Sequence, residues 1–260
     1  MNVLHIFNGD CAHDAWRAAG HAAPAVIWRE NYLEGALPPA DTPSAEFAAF
    51  RAAELKRMMP DLEVPEDDLR RFLENNDRTL LSAGRETAVY LWFDACMFDQ
   101  LILARVAFVL RNSPATLYLI CEDTVWGNQR EAFAERQATA RALSPAARAA
   151  LATGWEAVAG GQAAVEAYLK NFQAADLPFF HAGIRRYAEE FPGADGLGRS
   201  ERQLCALVKS GIQDFPGIFR AFDRYEKYMF MGDTMCRRML DRLAARGFLR
   251  QKNARYAINA

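Results

Sequence analysis

The chain has no C-x-x-C pair, and its five cysteines (Cys11, Cys96, Cys121, Cys205, Cys236) are odd in number and scattered. A disulfide framework and a structural zinc site are therefore excluded as organising devices, and reduced thiols in a cytoplasm are expected. There are only 4 histidines, without ligand spacing, so no metal site is expected and no cofactor is specified. Long apolar runs are also missing. The most apolar segment, Leu101 to Leu110, is interrupted by Arg105 and is too short to span a bilayer. The N-terminus MNVLHIFNGD lacks the basic start and apolar stretch of a signal peptide. The expectation is a cytoplasmic protein with no membrane partner. No G-x-G-x-x-G follows the first apolar run, so a dinucleotide fingerprint is absent. No internal repeat is found.

What is present describes a soluble globular protein with an ample core. The 260 residues are 51% hydrophobic, 12% aromatic and 25% charged, which suits one large or two small domains. The net charge of −2 conceals an asymmetry. Residues 1–196 hold 18 Lys/Arg against 27 Asp/Glu, a net −9, whereas residues 197–260 hold 13 against 6, a net +7. A basic terminal module on an acidic body implies either an intramolecular electrostatic interface or a module that meets a polyanion.

Short apolar runs alternate with helical spacing over the first half. Strands are expected at 3–7, 25–28, 88–93 and 116–121, with helices at 11–19 (Asp10 as N-cap), 44–59, 65–75 and 97–110. That alternation implies parallel pairing through right-handed crossovers. The fold class expected is α/β: a small parallel-dominated, Rossmann-like sheet over residues 1–125, a helical region over 126–196 and a basic winged-helix-like module over 197–260. In that module Ser200 with Gln203 reads as a capping box for a helix from Glu201 to Lys209. A second helix runs through Phe219 and Phe222, and Asp233 caps a third. A hairpin then turns at Gln251-Lys252-Asn253.

The motifs LHIFNGD (Leu4 to Asp10), IWRENYLEG (Ile27 to Gly35) and LWFDACMFDQL (Leu91 to Leu101) resemble those of a bacterial family of uncharacterised proteins. That family is the domain of unknown function numbered eighteen thirty-five. The tail motifs, Leu197 to Leu204 and FMGDTMCRRMLDRLA (Phe230 to Ala244), resemble its helical partner domain. The resemblance implies a fold and marks positions, and it implies no reaction. Ala95-Cys96 stands here where the family commonly has His-Asp, and Cys11 where it usually has Ser, so no mechanism can rest on that histidine.

In open parallel sheets ligands sit beyond the carboxyl ends of the strands. The residues expected there are Asn8, Gly9, Asp10, Arg29, Glu30, Asp94, Asp99 and Gln100. Asn8 and the amides of its turn suit an anionic group at a helix start, and Arg29 suits a phosphate or carboxylate. Asp10, Asp94 and Cys11 are the catalytic candidates: the acids as bases or hydroxyl binders, the thiol as a nucleophile at a helix N-terminus. Asn8, Asp10, Arg29, Asp94 and Gln100 are expected to converge on one pocket. Each also has a plain structural reading, with Asp10 as a cap and Arg29 with Glu30 as a salt bridge. The function that follows is binding of a small anionic ligand, a nucleotide or sugar phosphate, with possible catalysis on it. Two alternatives stay open, a protein-interaction scaffold and a ligand-responsive regulator that binds nucleic acid. The regulator would use Arg237, Arg238, Arg242 and Arg246 on the third terminal helix, with Arg250, Lys252 and Arg255 on the hairpin. The competing expectation for these arginines is pairing with acids of residues 1–196.

Overall fold

Four runs rich in β-branched and aromatic residues form one sheet: β1 (Asn2–Phe7), β2 (Ala25–Ile27), β3 (Thr87–Asp94) and β4 (Thr116–Glu122). All neighbours pair in parallel, in the order β2-β1-β3-β4. Each strand lies within one residue of its expected ends. The computed structural model describes residues 2–123 and 132–259. The chain divides into two units between Ile184 and Arg185, so the helices after β4 belong, as far as Ile184, to the unit that holds the sheet.

Helices make every connection, because parallel neighbours need a crossover. α1 (Asp10–Ala18) joins β1 to β2, α2 (Ser44–Met58) and α3 (Glu66–Leu81) join β2 to β3, and α4 (Met97–Val109) joins β3 to β4. α5 (Phe133–Thr139), α6 (Pro145–Gly160), α7 (Gln162–Lys170) and α8 (Pro178–Ala188) follow. The chain moves outward from β1 to β2, then returns past β1 to β3. The carboxyl ends of β1 and β3 therefore flank the point where the winding reverses.

β3 reads as a continuous apolar run because both of its faces are covered. On one face His5, Phe7, Tyr90 and Trp92 stack across β1 and β3, with Trp16 of α1 and Phe133 of α5 against them. Trp92 Nε1 donates to His5 Nδ1 at 3.0 Å, so this buried histidine is a satisfied core group. α4 is buried from Leu101 to Val109. Arg105, the charge inside that apolar run, donates to Asp77 Oδ2 at 2.6 Å and lies 4.2 Å from the ring centre of Phe47. Asp77 is the reason α3 continues to Leu81, six residues beyond its expected end. Asn76 and Asp77 are buried on the inner face of α3, and Asp77 meets Arg105 of α4.

The second unit carries α9 (Arg199–Lys209), α10 (Phe215–Phe222) with a short 3₁₀ turn after it, α11 (Asp233–Ala245) and an antiparallel hairpin, β5 (Leu249–Lys252) and β6 (Arg255–Ile258). Two local expectations are corrected. Gly198, not Ser200, stands at the start of α9, where its N–H donates to Glu201 Oε2 at 3.1 Å, and Ser200 instead donates to Glu190 Oε1 at 2.7 Å. The hairpin turns at Asn253-Ala254, both at positive φ, and Gln251 and Lys252, expected in the turn, belong to β5. No helix among the described residues is long and apolar enough to cross a membrane.

Candidate functional site

The reversal point is held by one buried carboxyl group. Asn8 Nδ2 donates to Asp99 Oδ2 at 2.5 Å, and the Asp94 N–H donates to the same oxygen at 2.6 Å. Asp99, in the first turn of α4, thus ties the end of β1 to the end of β3. The Cys96 thiol lies 3.5 Å from the other oxygen, Oδ1. Gln100 Nε2 donates to the Asp94 carbonyl at 2.6 Å and to Cys121 Sγ at 3.4 Å, which extends the tie to β4. Asp99 and Gln100 are each 1% exposed. Burial, followed by the Asp94 charge, pushes the Asp99 carboxyl up to about 8, against the bonds from Asn8 and the Asp94 amide. Burial and then the Asp99 charge also drive the Cys96 thiol well up, which disfavours a thiolate there.

Asp10 and Arg29 form a separate pair. The Arg29 guanidinium donates through Nε and Nη2 to both Asp10 oxygens, and its face lies 5.4 Å from the centre of the Phe72 ring. Both side chains are about half exposed. The hydrogen bond from Arg29 lowers the Asp10 carboxyl below its ordinary range. Asp10 is the first residue of α1 and not its cap. Gly9 takes that place, at φ +150°, and no side chain caps the helix. A Cβ built on Gly9 would meet nothing within 4 Å.

The eight strand-end candidates therefore separate. Asn8, Asp94, Asp99 and Gln100 gather at the β1/β3 reversal. Asp10 and Arg29 stand one glycine further along. Glu30 leaves the edge altogether: it is buried and accepts from Arg51 Nη2 at 2.9 Å and Nε at 3.3 Å. The remaining Arg51 protons go to the carbonyls of Asn31, Glu34 and Ala36, so this ion pair stitches the β2 loop to α2. Cys11 is exposed on α1, and His13 is packed against the Phe7 ring. No group of three or more His, Cys, Asp or Glu side chains among the described residues could hold a metal ion. Arg51 was not singled out from the sequence; nothing local marks it as the partner of Glu30.

In the second unit, the Arg237 guanidinium lies 3.9 Å from the ring centre of Phe215. Arg246 donates to Glu201 Oε1 at 2.6 Å and to the Gly196 carbonyl. The acid that Arg246 meets thus comes from its own unit, not from residues 1–196. Comparison of the chain with family models, with curated proteins and with solved structures found no match.

Proposed function

We propose that the N-terminal unit binds a small anionic molecule, a nucleotide or a sugar phosphate, at the carboxyl edge beside the β1/β3 reversal. The observation that carries this reading is the opening of α1. The helix starts without a side-chain cap, the space beyond Gly9 is open, and Arg29 is held at that opening by Asp10. Arg29 Nη1 has no partner among the described residues, so the guanidinium retains donors for an anion. Asp94, half-buried at the end of β3, is the acid placed to meet a hydroxyl or to move a proton. Asp99 and Gln100 position it from beneath.

Isothermal titration with nucleoside monophosphates and hexose phosphates tests the proposal. Arg29→Ala should weaken binding about tenfold or more, while the unliganded melting temperature hardly moves because the ion pair is half exposed. Absence of saturable binding, or binding indifferent to Arg29→Ala, refutes it.

A specific observation favours a second reading, in which the C-terminal unit is a winged-helix-like module that binds nucleic acid. The segment between α9 and α10 joins the hairpin: Asp214 bridges Arg255, and the Tyr256 N–H donates to the Gln213 carbonyl at 2.8 Å. Three helices with a small sheet of this order support the winged-helix reading. Residues 185–260 carry 15 Lys/Arg against 9 Asp/Glu, a net +6. Anisotropy titration against random duplex DNA should show binding that falls steeply with salt and is lost on Arg238→Glu with Arg242→Glu. Salt-independent or absent binding refutes it.

A further inference from the structure

Several cations of the C-terminal unit are neutralised within it. Arg186 meets Glu190 and Glu226, Arg199 meets Glu189, Arg202 meets Asp195, and Arg246 meets Glu201. Arg237 of α11 and Arg250, Lys252 and Arg255 of the hairpin are different. They are exposed and make no ion pair among the described residues.

Two observations show that this second group is held in a way that folding alone does not favour. Lys252 and Arg255 stand directly opposite each other in the β5/β6 ladder, next to the turn. Like charges at that position repel, and neither side chain is paired with an acid. Arg237 and Asp241 lie one turn apart on α11, within pairing reach of each other. No ion pair joins them. The Arg237 guanidinium lies 3.9 Å from the centre of the Phe215 ring, which stacks in turn on Phe219. Asp241 Oδ1 accepts from the Tyr256 hydroxyl at 3.2 Å, and that hydroxyl accepts from Gln251 Nε2 at 3.2 Å. One strong donor and one strong acceptor are thus kept apart, both exposed, on the side of α11 that adjoins the hairpin.

We propose that this face of the C-terminal unit contacts duplex DNA. The inference rests on the nucleic-acid reading of that unit and names the surface and its selectivity. Lys252 and Arg255 together take a backbone phosphate, whose charge relieves their mutual repulsion. Arg237 and Asp241 enter the major groove on α11, Arg237 donating to guanine O6 and N7 and Asp241 accepting from cytosine N4. A carboxylate on a phosphate-binding surface weakens contact with every sequence unless a base offers it a donor. Asp241 therefore belongs to base selection and not to backbone contact. The B-form major groove admits an α-helix, whereas that of A-form RNA is too narrow to be read by side chains. The hairpin also argues against a lipid surface, since from Arg250 to Arg255 it exposes no apolar side chain except Ala254.

The test is an anisotropy titration of the full chain with G·C-rich and A·T-rich DNA duplexes of equal length over a range of salt. Lys252→Ala with Arg255→Ala should flatten the log–log salt dependence by about 2, one for each cation removed, without lowering the melting temperature. Asp241→Asn should reduce the preference for the G·C-rich duplex about fivefold or more and leave the salt slope nearly unchanged. Arg85→Ala, an exposed arginine of the other unit, should change neither. A salt slope untouched by the Lys252 and Arg255 substitutions, in a chain whose binding is lost on Arg238→Glu with Arg242→Glu, would overturn the inference and leave the nucleic-acid reading standing. So would a sequence preference that is absent or survives Asp241→Asn, or equal binding to duplex RNA. No binding of any duplex, or binding only to phosphatidylserine vesicles, would overturn both.

Discussion

Replacing Asp99 by asparagine should change how stability depends on pH far more than it changes the fold. In the native chain the carboxyl sits at about 8, against an ordinary 3.8. An acid raised on folding stabilises fully below its unfolded value, and that contribution is lost as pH rises toward the folded one. Between pH 4 and 8 the wild type should therefore lose up to about 1.4 kcal/mol per pH unit from this site. Because Asp94 and Asp99 interact, the proton belongs to the pair, and the loss is measured for the pair. The Asp99→Asn side chain cannot ionise. Its carboxamide oxygen can accept from both Asn8 Nδ2 and the Asp94 N–H, which already share one oxygen, and its NH₂ then meets Cys96 Sγ. The variant should gain on the wild type as pH rises from 5 to 9, with the sign set by the raised carboxyl of the wild type. Urea denaturation at several pH values, followed by tryptophan fluorescence, reads this in the right unit, since all five tryptophans precede residue 185. Stability curves for the two proteins that run parallel across the range would refute the reasoning. Asp99→Ala is the contrasting case. It leaves two half-buried donors without their acceptor and should cost about 1–3 kcal/mol at any pH.

Two further substitutions test the polar core. Arg51→Ala strands the Glu30 charge in the interior and should destabilise by about 3–5 kcal/mol in thermal or urea denaturation; a loss under about 1 kcal/mol would show that the pair is not closed to water. His5 is lowered to about 4, by burial first and then by His21, so its stabilising contribution is present above its ordinary 6.5 and lost as pH falls toward 4. His5→Gln keeps an acceptor for Trp92 Nε1 and should remove up to about 3 kcal/mol of that acid-side loss, which a pH series of melting curves would show.

The strands were legible because their signal is local: a run such as Ala88 to Phe93 is apolar on both faces whatever it later touches. The polar partners were not, because each half of a pair looks anomalous alone. Arg105 interrupts an apolar helix, and Asn76 and Asp77 look like the end of one. Only the fold, which sets Asp77 against Arg105, shows that the two explain each other. The same blindness applies at the sheet edge. Asn8 and Asp99 are 91 positions apart, so strand-end placement marked both as candidates without revealing that they bind one another. Glu30 was marked by the same rule and turned inward to Arg51. Placement past a strand end thus selects two kinds of residue, those that lock the edge and those that face outward from it, and burial separates them. Asp99 and Gln100 are spent on the lock, and Glu30 on its pair with Arg51. Arg29 and Asp10 are half exposed, Asp94 is half-buried, and these three remain on the outward side. Any ligand at this edge must therefore be recognised chiefly by one guanidinium, the start of α1 and one acid, a set that suits an anion with a hydroxyl far better than an apolar molecule.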